Sequence, residues 1–149
     1  MSAPLILLLN GPNLNTLGTR QPEIYGTTTL AEVVGRCRAL AEDAGARLVD
    51  MQSNHEGALI DFLQEHADAS GAIMNPGGLA HTSVVLRDAV AGCRYPVVEV
   101  HISDITKREA FRRNSYLAEV AAHAVVGRGV AGYEEALRWL LQKIGKRGT

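Results

Sequence analysis

Glu99 and His101 stand two residues apart at the end of an apolar run, Pro96 to Val100. In extended backbone such residues share a side, so the carboxylate could orient or charge the imidazole. That pairing suits proton transfer near neutral pH. Taken alone, His101 is equally a half-buried histidine with a satisfied hydrogen bond. Arg20, Pro22, Tyr25 and Gly26 fall in one polar stretch near the N-terminus. Singly they are a solvated charge, turn residues and a surface aromatic; together on one loop they suit closure over an anionic ligand. Arg108 and Arg112 are four apart, so on a helix they would share one face. An ordinary charged surface neutralised by Glu109 accounts for both, but the segment begins at a strand end, which favours function for Arg112. His81 precedes a helix capped near Thr82 and either donates to a ligand hydroxyl or helps the cap. Asp88, beside Arg87, reads most simply as half of a surface ion pair.

Several chemistries are disfavoured. His55, His66 and His123 read as structural, and no two histidines have a metal-ligand spacing, so no metal is expected. No G-x-G-x-x-G follows the first apolar run, and no phosphate-binding G-x-x-x-x-G-K-[ST] occurs. The first turn lacks the hydroxyl-rich cradle of a flavin mononucleotide site, and asparagines stand where a phospho-receiver needs acids. A small hydrolase using Ser83 or Ser103 lacks a G-x-S-x-G elbow. Twelve arginines face three lysines, and none of the first 106 residues is lysine. Imine chemistry would therefore have only Lys107, Lys143 or Lys146.

The residues just named need a scaffold. The chain has 149 residues, 46% hydrophobic and 21% charged, the size and composition of one globular domain. Its formal net charge of −1 argues against non-specific nucleic-acid binding. No apolar run approaches the roughly 20 residues of a membrane span, and Leu5 to Leu9 is too short for a signal-peptide core. Cys37 and Cys93 fit no metal pattern and suggest a reducing compartment, hence a cytoplasmic location.

Apolar runs at Pro4–Leu9, Ala46–Met51, Ala72–Met74, Pro96–Val100 and Ala124–Val126 read as strands. Between and after them, the apolar spacing predicts helices over Leu30–Ala44, Glu56–Ala69, Thr82–Gly92, about Lys107–Val120, and Gly132–Ile144. Thr29-Leu30-Ala31-Glu32 is a capping box, and Gly45 stands where a helix C-cap glycine belongs. Strands alternating with helices imply right-handed βαβ units and a parallel sheet covered on both faces. The expectation is a single α/β domain, a flavodoxin-like three-layer fold with a five-stranded parallel sheet ordered 2-1-3-4-5.

Ligands in such folds sit beyond the carboxyl ends of the strands, where the winding reverses between strands 1 and 3. At those ends stand Asn10-Gly11-Pro12-Asn13-Leu14-Asn15, Asn75-Pro76-Gly77-Gly78 and Glu99-Val100-His101-Ile102-Ser103. Any one of these asparagines is explained by turn formation; three polar edges at one crevice favour a site. The connection from about Gly11 to Thr28 exceeds the usual loop length and has the length of a lid.

The pieces NGPNLNTLG (Asn10–Gly18), R-x-P-x-x-Y-G (Arg20–Gly26), QSNHEG (Gln52–Gly57), NPGG…HTS (Asn75–Ser83), RDA (Arg87–Ala89), EVHIS (Glu99–Ser103), REAFR…SY (Arg108–Tyr116) and GxGxxGY (Gly127–Tyr133) resemble the type II 3-dehydroquinate dehydratases. The resemblance runs in order through nearly the whole chain. It implies the flavodoxin-like fold and the loss of water from 3-dehydroquinate to give 3-dehydroshikimate, through an enolate. It implies the shikimate pathway and aromatic amino acid biosynthesis, with quinate breakdown as the alternative role.

By this resemblance Tyr25 is the base at C2, Arg20 favours its ionised form, and Asn13 holds a water that stabilises the enolate. His101, assisted by Glu99, protonates the leaving C1 hydroxyl. Asn75, His81, Asp88, Ile102, Ser103 and Arg112 bind the substrate, Arg112 at its carboxylate. Neither metal nor organic cofactor is implied. The implied assembly is a homo-oligomer, a dodecamer built from trimers, in which Asp88 reaches a neighbouring subunit's site.

Leu79, Ala80, Asp104, Thr106, Ala110 and the pair Arg113-Asn114 depart from the residues common in that family, without touching a residue assigned a catalytic role. A free tyrosine has a pKa near 10, and close arginines can move such a group by about 1–3 units. A non-catalytic sensor of a small polyhydroxy acid is the competing reading, disfavoured because the whole set Asn13, Arg20, Tyr25 and His101 is present.

Overall fold

The computed structural model describes residues 2–147. Five parallel strands, β1 (Leu5–Asn10), β2 (Arg47–Gln52), β3 (Gly71–Asn75), β4 (Val97–His101) and β5 (His123–Val126), form one sheet ordered β2-β1-β3-β4-β5. The expected order 2-1-3-4-5 is therefore observed. The helices are α1 (Pro22–Tyr25), α2 (Leu30–Asp43), α3 (Glu56–Glu65), α4 (Val84–Ala91) and α5 (Ala131–Arg147).

The continuous apolar run of β1 is explained by burial on both faces. Ile6 and Leu8 join one core with Val33, Cys37 and Leu137 from α2 and α5; Leu7 and Leu9 join the other with Leu59, Leu63 and Leu86 from α3 and α4. Each fully buried leucine contributes roughly 1.5–3 kcal/mol. Two opposed cores hold the sheet rigid, and with it the strand ends.

Local signals set the helix ends. Thr29 Oγ1 accepts from the Glu32 N–H at 3.2 Å, and Glu32 Oε1 accepts from the Thr29 N–H at 3.4 Å, completing the capping box. Gly45 takes φ 80° just beyond α2, as a left-handed helix stop requires. Ser83, rather than Thr82, caps α4 by accepting from the Leu86 N–H at 3.0 Å.

Three expectations are corrected. The helix expected to reach Ala69 ends at Glu65. The connection after β1 is not an open loop: it holds a 3-10 turn, Leu14–Thr16, and the one-turn helix α1. No α-helix forms over about 107–120, where the chain makes 3-10 turns at Ile105–Lys107 and Ala110–Arg112 and then a strap. Glu109, at φ −54° and ψ 150°, leaves the helical region. The strap's polar groups find distant partners instead: the Tyr116 N–H donates to the Ala80 carbonyl at 2.7 Å, and Arg87 Nη1 donates to the Tyr116 carbonyl at 2.7 Å. Bonds of this kind displace helical ones.

Candidate active site

The turns after β1 and β3 touch. The Gly11 N–H donates to the Asn75 carbonyl at 2.8 Å. A Cβ on Gly11 would lie 2.5 Å from the Pro76 oxygen, and one on Gly77, at φ 59°, 3.1 Å from the Pro12 oxygen. Only glycine allows this approach. The turn after β2 braces it: Gln52 Nε2 donates to the Gly11 carbonyl at 3.1 Å, and Asn54 Oδ1 accepts from the Asn13 N–H at 3.0 Å. Asn13 is held in the left-handed region at φ 71°.

Beyond these turns lies a cleft of about 230 Å³. Of the residues anticipated from the sequence, Asn13, Arg20, Tyr25, Asn75, His81, His101, Ile102, Ser103 and Arg112 all line it. Glu99 lies beneath, 1% exposed, with its Oε2 2.5 Å from His101 Nε2. The carboxylate accepts, so Nε2 carries the proton. Asp88 does not reach this cleft. It is exposed on α4, in a separate groove with Cys93 and Arg94. It is not the ion-pair partner of Arg87 either, which pairs with Glu119 at 3.3 Å.

Tyr25 lies under two cations. The Arg20 guanidinium carbon is 5.2 Å from its ring centroid and that of Arg108 is 5.8 Å away. Arg108 Nη1 also donates to Tyr25 Oη at 3.3 Å and to Ser103 Oγ at 3.0 Å. The hydrogen bond to Tyr25 is the leading cause that raises the Arg108 pKa above its ordinary value.

Arg112 also reaches the cleft, with its Nε donating to Glu109 Oε2 at 2.8 Å. That bond holds the exposed Glu109 carboxyl below its usual pKa. The shared helix face expected for Arg108 and Arg112 does not exist, since no helix forms there; the two arginines meet the cleft from separate turns.

Asn75 is oriented from behind. Its Nδ2 donates to Tyr133 Oη at 2.8 Å, its Oδ1 accepts from the Gly77 N–H at 3.1 Å, and the Tyr133 hydroxyl donates to Asn10 Oδ1 at 2.6 Å. Tyr133 is completely buried, and burial pushes its pKa upward, so it stays a protonated donor. Glu56, at the start of α3, braces the cap of α4: its Oε2 accepts from Ser83 Oγ at 2.7 Å. His123 stacks on Trp139 at 4.6 Å, a structural role.

Arg108 is the cleft residue whose role sequence reasoning missed. Its partner Tyr25 is 83 positions away, so no local spacing could announce it. The residues available can bind an anion, take a proton at a phenol and give one at an imidazole.

Comparison with known proteins places the chain in a family. The family model for dehydroquinase class II matches residues 4–141. The chain is 53% identical over 143 residues to a 3-dehydroquinate dehydratase of Janthinobacterium sp. (strain Marseille), covering 93% of this chain and 97% of the relative. It is 49% identical over 144 residues to a catabolic 3-dehydroquinase of Pyricularia oryzae, covering 95% and 92%. The crystal structure of the type II dehydroquinase from Propionibacterium acnes superposes with a TM-score of 0.90 at 35% identity, covering 95% of this chain and 98% of that one.

Proposed function

Since the chain belongs to the class II dehydroquinase family, we propose that it removes water from 3-dehydroquinate through an enolate, with Tyr25 as base and His101 as acid. The enzyme is a hydro-lyase, a 3-dehydroquinate dehydratase. In the proposed sequence the Tyr25 phenolate takes a proton from C2, beside the ketone. The electron pair moves onto the ketone oxygen as an enolate, which Asn13 and a water held by it stabilise through preorganised donors. The pair then returns to form the C1–C2 double bond as the C1 hydroxyl leaves, protonated by His101 to water. The products are 3-dehydroshikimate and water.

The observation that carries this reading is the tyrosine itself, placed in the cleft under Arg20 and bonded by Arg108. The Arg108 guanidinium donates to the phenol oxygen and the Arg20 guanidinium stands over the ring, so positive charge faces the group that is to act as base. Arginine suits the task because it stays protonated beside a base. His101 and the buried Glu99 form the other half, and Asn75, His81, Ile102, Ser103 and Arg112 receive the substrate, Arg112 at its carboxylate.

Tyr25→Phe should keep the fold and substrate binding yet nearly abolish growth of the conjugated-enone ultraviolet absorbance when 3-dehydroquinate is added. Substantial turnover in the pure variant would sink the tyrosinate assignment. Binding by calorimetry in the unsubstituted protein, with no absorbance change, would favour the sensor reading.

For the pathway we read aromatic biosynthesis, the shikimate route, as the family resemblance implies. The names of the fungal relatives favour quinate breakdown as a second role for the same reaction. Induction of the protein by quinate would mark the second role, and aromatic auxotrophy on its deletion the first. The assembly we read is a dodecamer built from trimers, working in the cytoplasm, with Asp88 serving a neighbouring subunit. Its supports are that Asp88 lies outside its own chain's cleft and that Val84 and Val85, on the same helix, are 54% and 52% exposed. Among the described residues no helix is long and apolar enough to cross a membrane.

A further inference from the structure

The strap that replaces the expected helix reaches His81 directly and His101 through Glu99. Ser115 Oγ hydrogen-bonds Glu99 Oε2, the same oxygen that faces His101 Nε2. Ser115 Oγ itself accepts from the Leu117 N–H at 3.2 Å, which leaves its proton for the carboxylate. Leu117 is fully buried in the core beneath α3 and α4, and the Tyr116 N–H is tied to the Ala80 carbonyl. The hydroxyl therefore hangs from a rigid point. One residue earlier, the Asn114 carbonyl lies 2.7 Å from His81 Nδ1. A carbonyl only accepts, so Nδ1 of His81 carries the proton. The two imidazoles stack with centroids 6.3 Å apart and an interplanar angle of 26°.

We infer that Ser115 is a positioning residue of this enzyme: by fixing the Glu99 carboxylate it locks His101 in the Nε2–H form and leaves Nδ1 as the nitrogen that serves the cleft. The inference rests on the reading of His101 as the acid. An imidazolium then keeps one proton on Glu99 and spends only the Nδ1 proton on the leaving hydroxyl. Without Ser115 the carboxylate loses a donor and its fixed direction, and the ring loses the bias between its two neutral forms.

The test is Ser115→Ala in the full-length protein, read by steady-state kinetics and by nitrogen-15 NMR of the imidazoles. Expected are a fall in kcat of about 10-fold to 100-fold, the scale of one hydrogen bond to a charged group, with KM within about twofold, and a His101 signal moved from the pure Nε2–H form to a mixture of tautomers. Ser115→Thr, which keeps the hydroxyl, should restore both. A kcat within about twofold of the unsubstituted enzyme, or a lower kcat with an unchanged His101 signal, would overturn the inference. If the alanine variant does not fold, Ser115→Cys, similar in size and a weak donor, is judged by the same two readouts. Full activity in His101→Ala would defeat the acid assignment instead, while the nitrogen signals of Ser115→Ala still report the positioning.

Discussion

Tyr25 and Arg108 meet at 3.3 Å across 83 residues of chain, and that meeting organises the chemistry of the cleft. The roles of the two arginines differ in geometry. Arg20 stands over the ring, whereas Arg108 addresses the oxygen where negative charge develops. Both guanidiniums face the group that acts as base, so kcat should fall in both Arg20→Ala and Arg108→Gln while the urea midpoint stays put. Arg108→Gln should give the larger loss, about 10-fold to 100-fold, the scale of one hydrogen bond to a charged group. A kcat within about twofold of the unsubstituted enzyme would mean that the arginine only holds the loop. At this scale the sequence was informative where partners lie close in the chain. Glu99 and His101 were paired by a two-residue spacing, and Arg20 and Tyr25 were grouped by proximity. The Tyr25–Arg108 and Ser115–Glu99 contacts were not legible, because their geometry is set by which segments the sheet brings together.

The turns after β1 and β3 form the floor of the site because both contain a glycine at the contact. Gly11→Ala would force a methyl group to 2.5 Å from the Pro76 oxygen. Overpacking of this kind costs about 1–3 kcal/mol, and here the obstacle is backbone, which cannot swing aside. The urea midpoint should fall accordingly, and kcat should fall too, because Asn13 and Asn75 move with the two turns. An unchanged midpoint would show that the contact is looser than described. The regular elements were legible from local chemistry: a capping box, a glycine stop, and continuous apolar runs for strands buried on both faces. The segment after β4 misled because its apolar and charged residues have helical spacing, yet its backbone and side-chain groups are satisfied by Ala80, His81, Arg87 and Glu99. Helix propensity yields to such long-range bonds.

For the whole molecule, the sheet order places the strand ends where the crevice was expected, and one chain supplies every anticipated cleft residue except Asp88. That exception and the exposed Val84 and Val85 argue for assembly. Light scattering should therefore give about twelve times the chain mass of 16.0 kDa, and Asp88→Asn should lower activity although its own chain's cleft is intact. A monomeric mass with full activity would refute the assembly. Tyr25, meanwhile, ends a one-turn helix bounded by left-handed residues, Gln21 at φ 44° and Gly26 at φ 79°. The base and the cation that addresses its oxygen thus belong to different parts of the molecule, one carried on a short stalk and the other anchored beside Ser103. The 3.3 Å contact therefore joins two segments that the fold positions independently, so a substitution in either turn is felt at the same phenol oxygen.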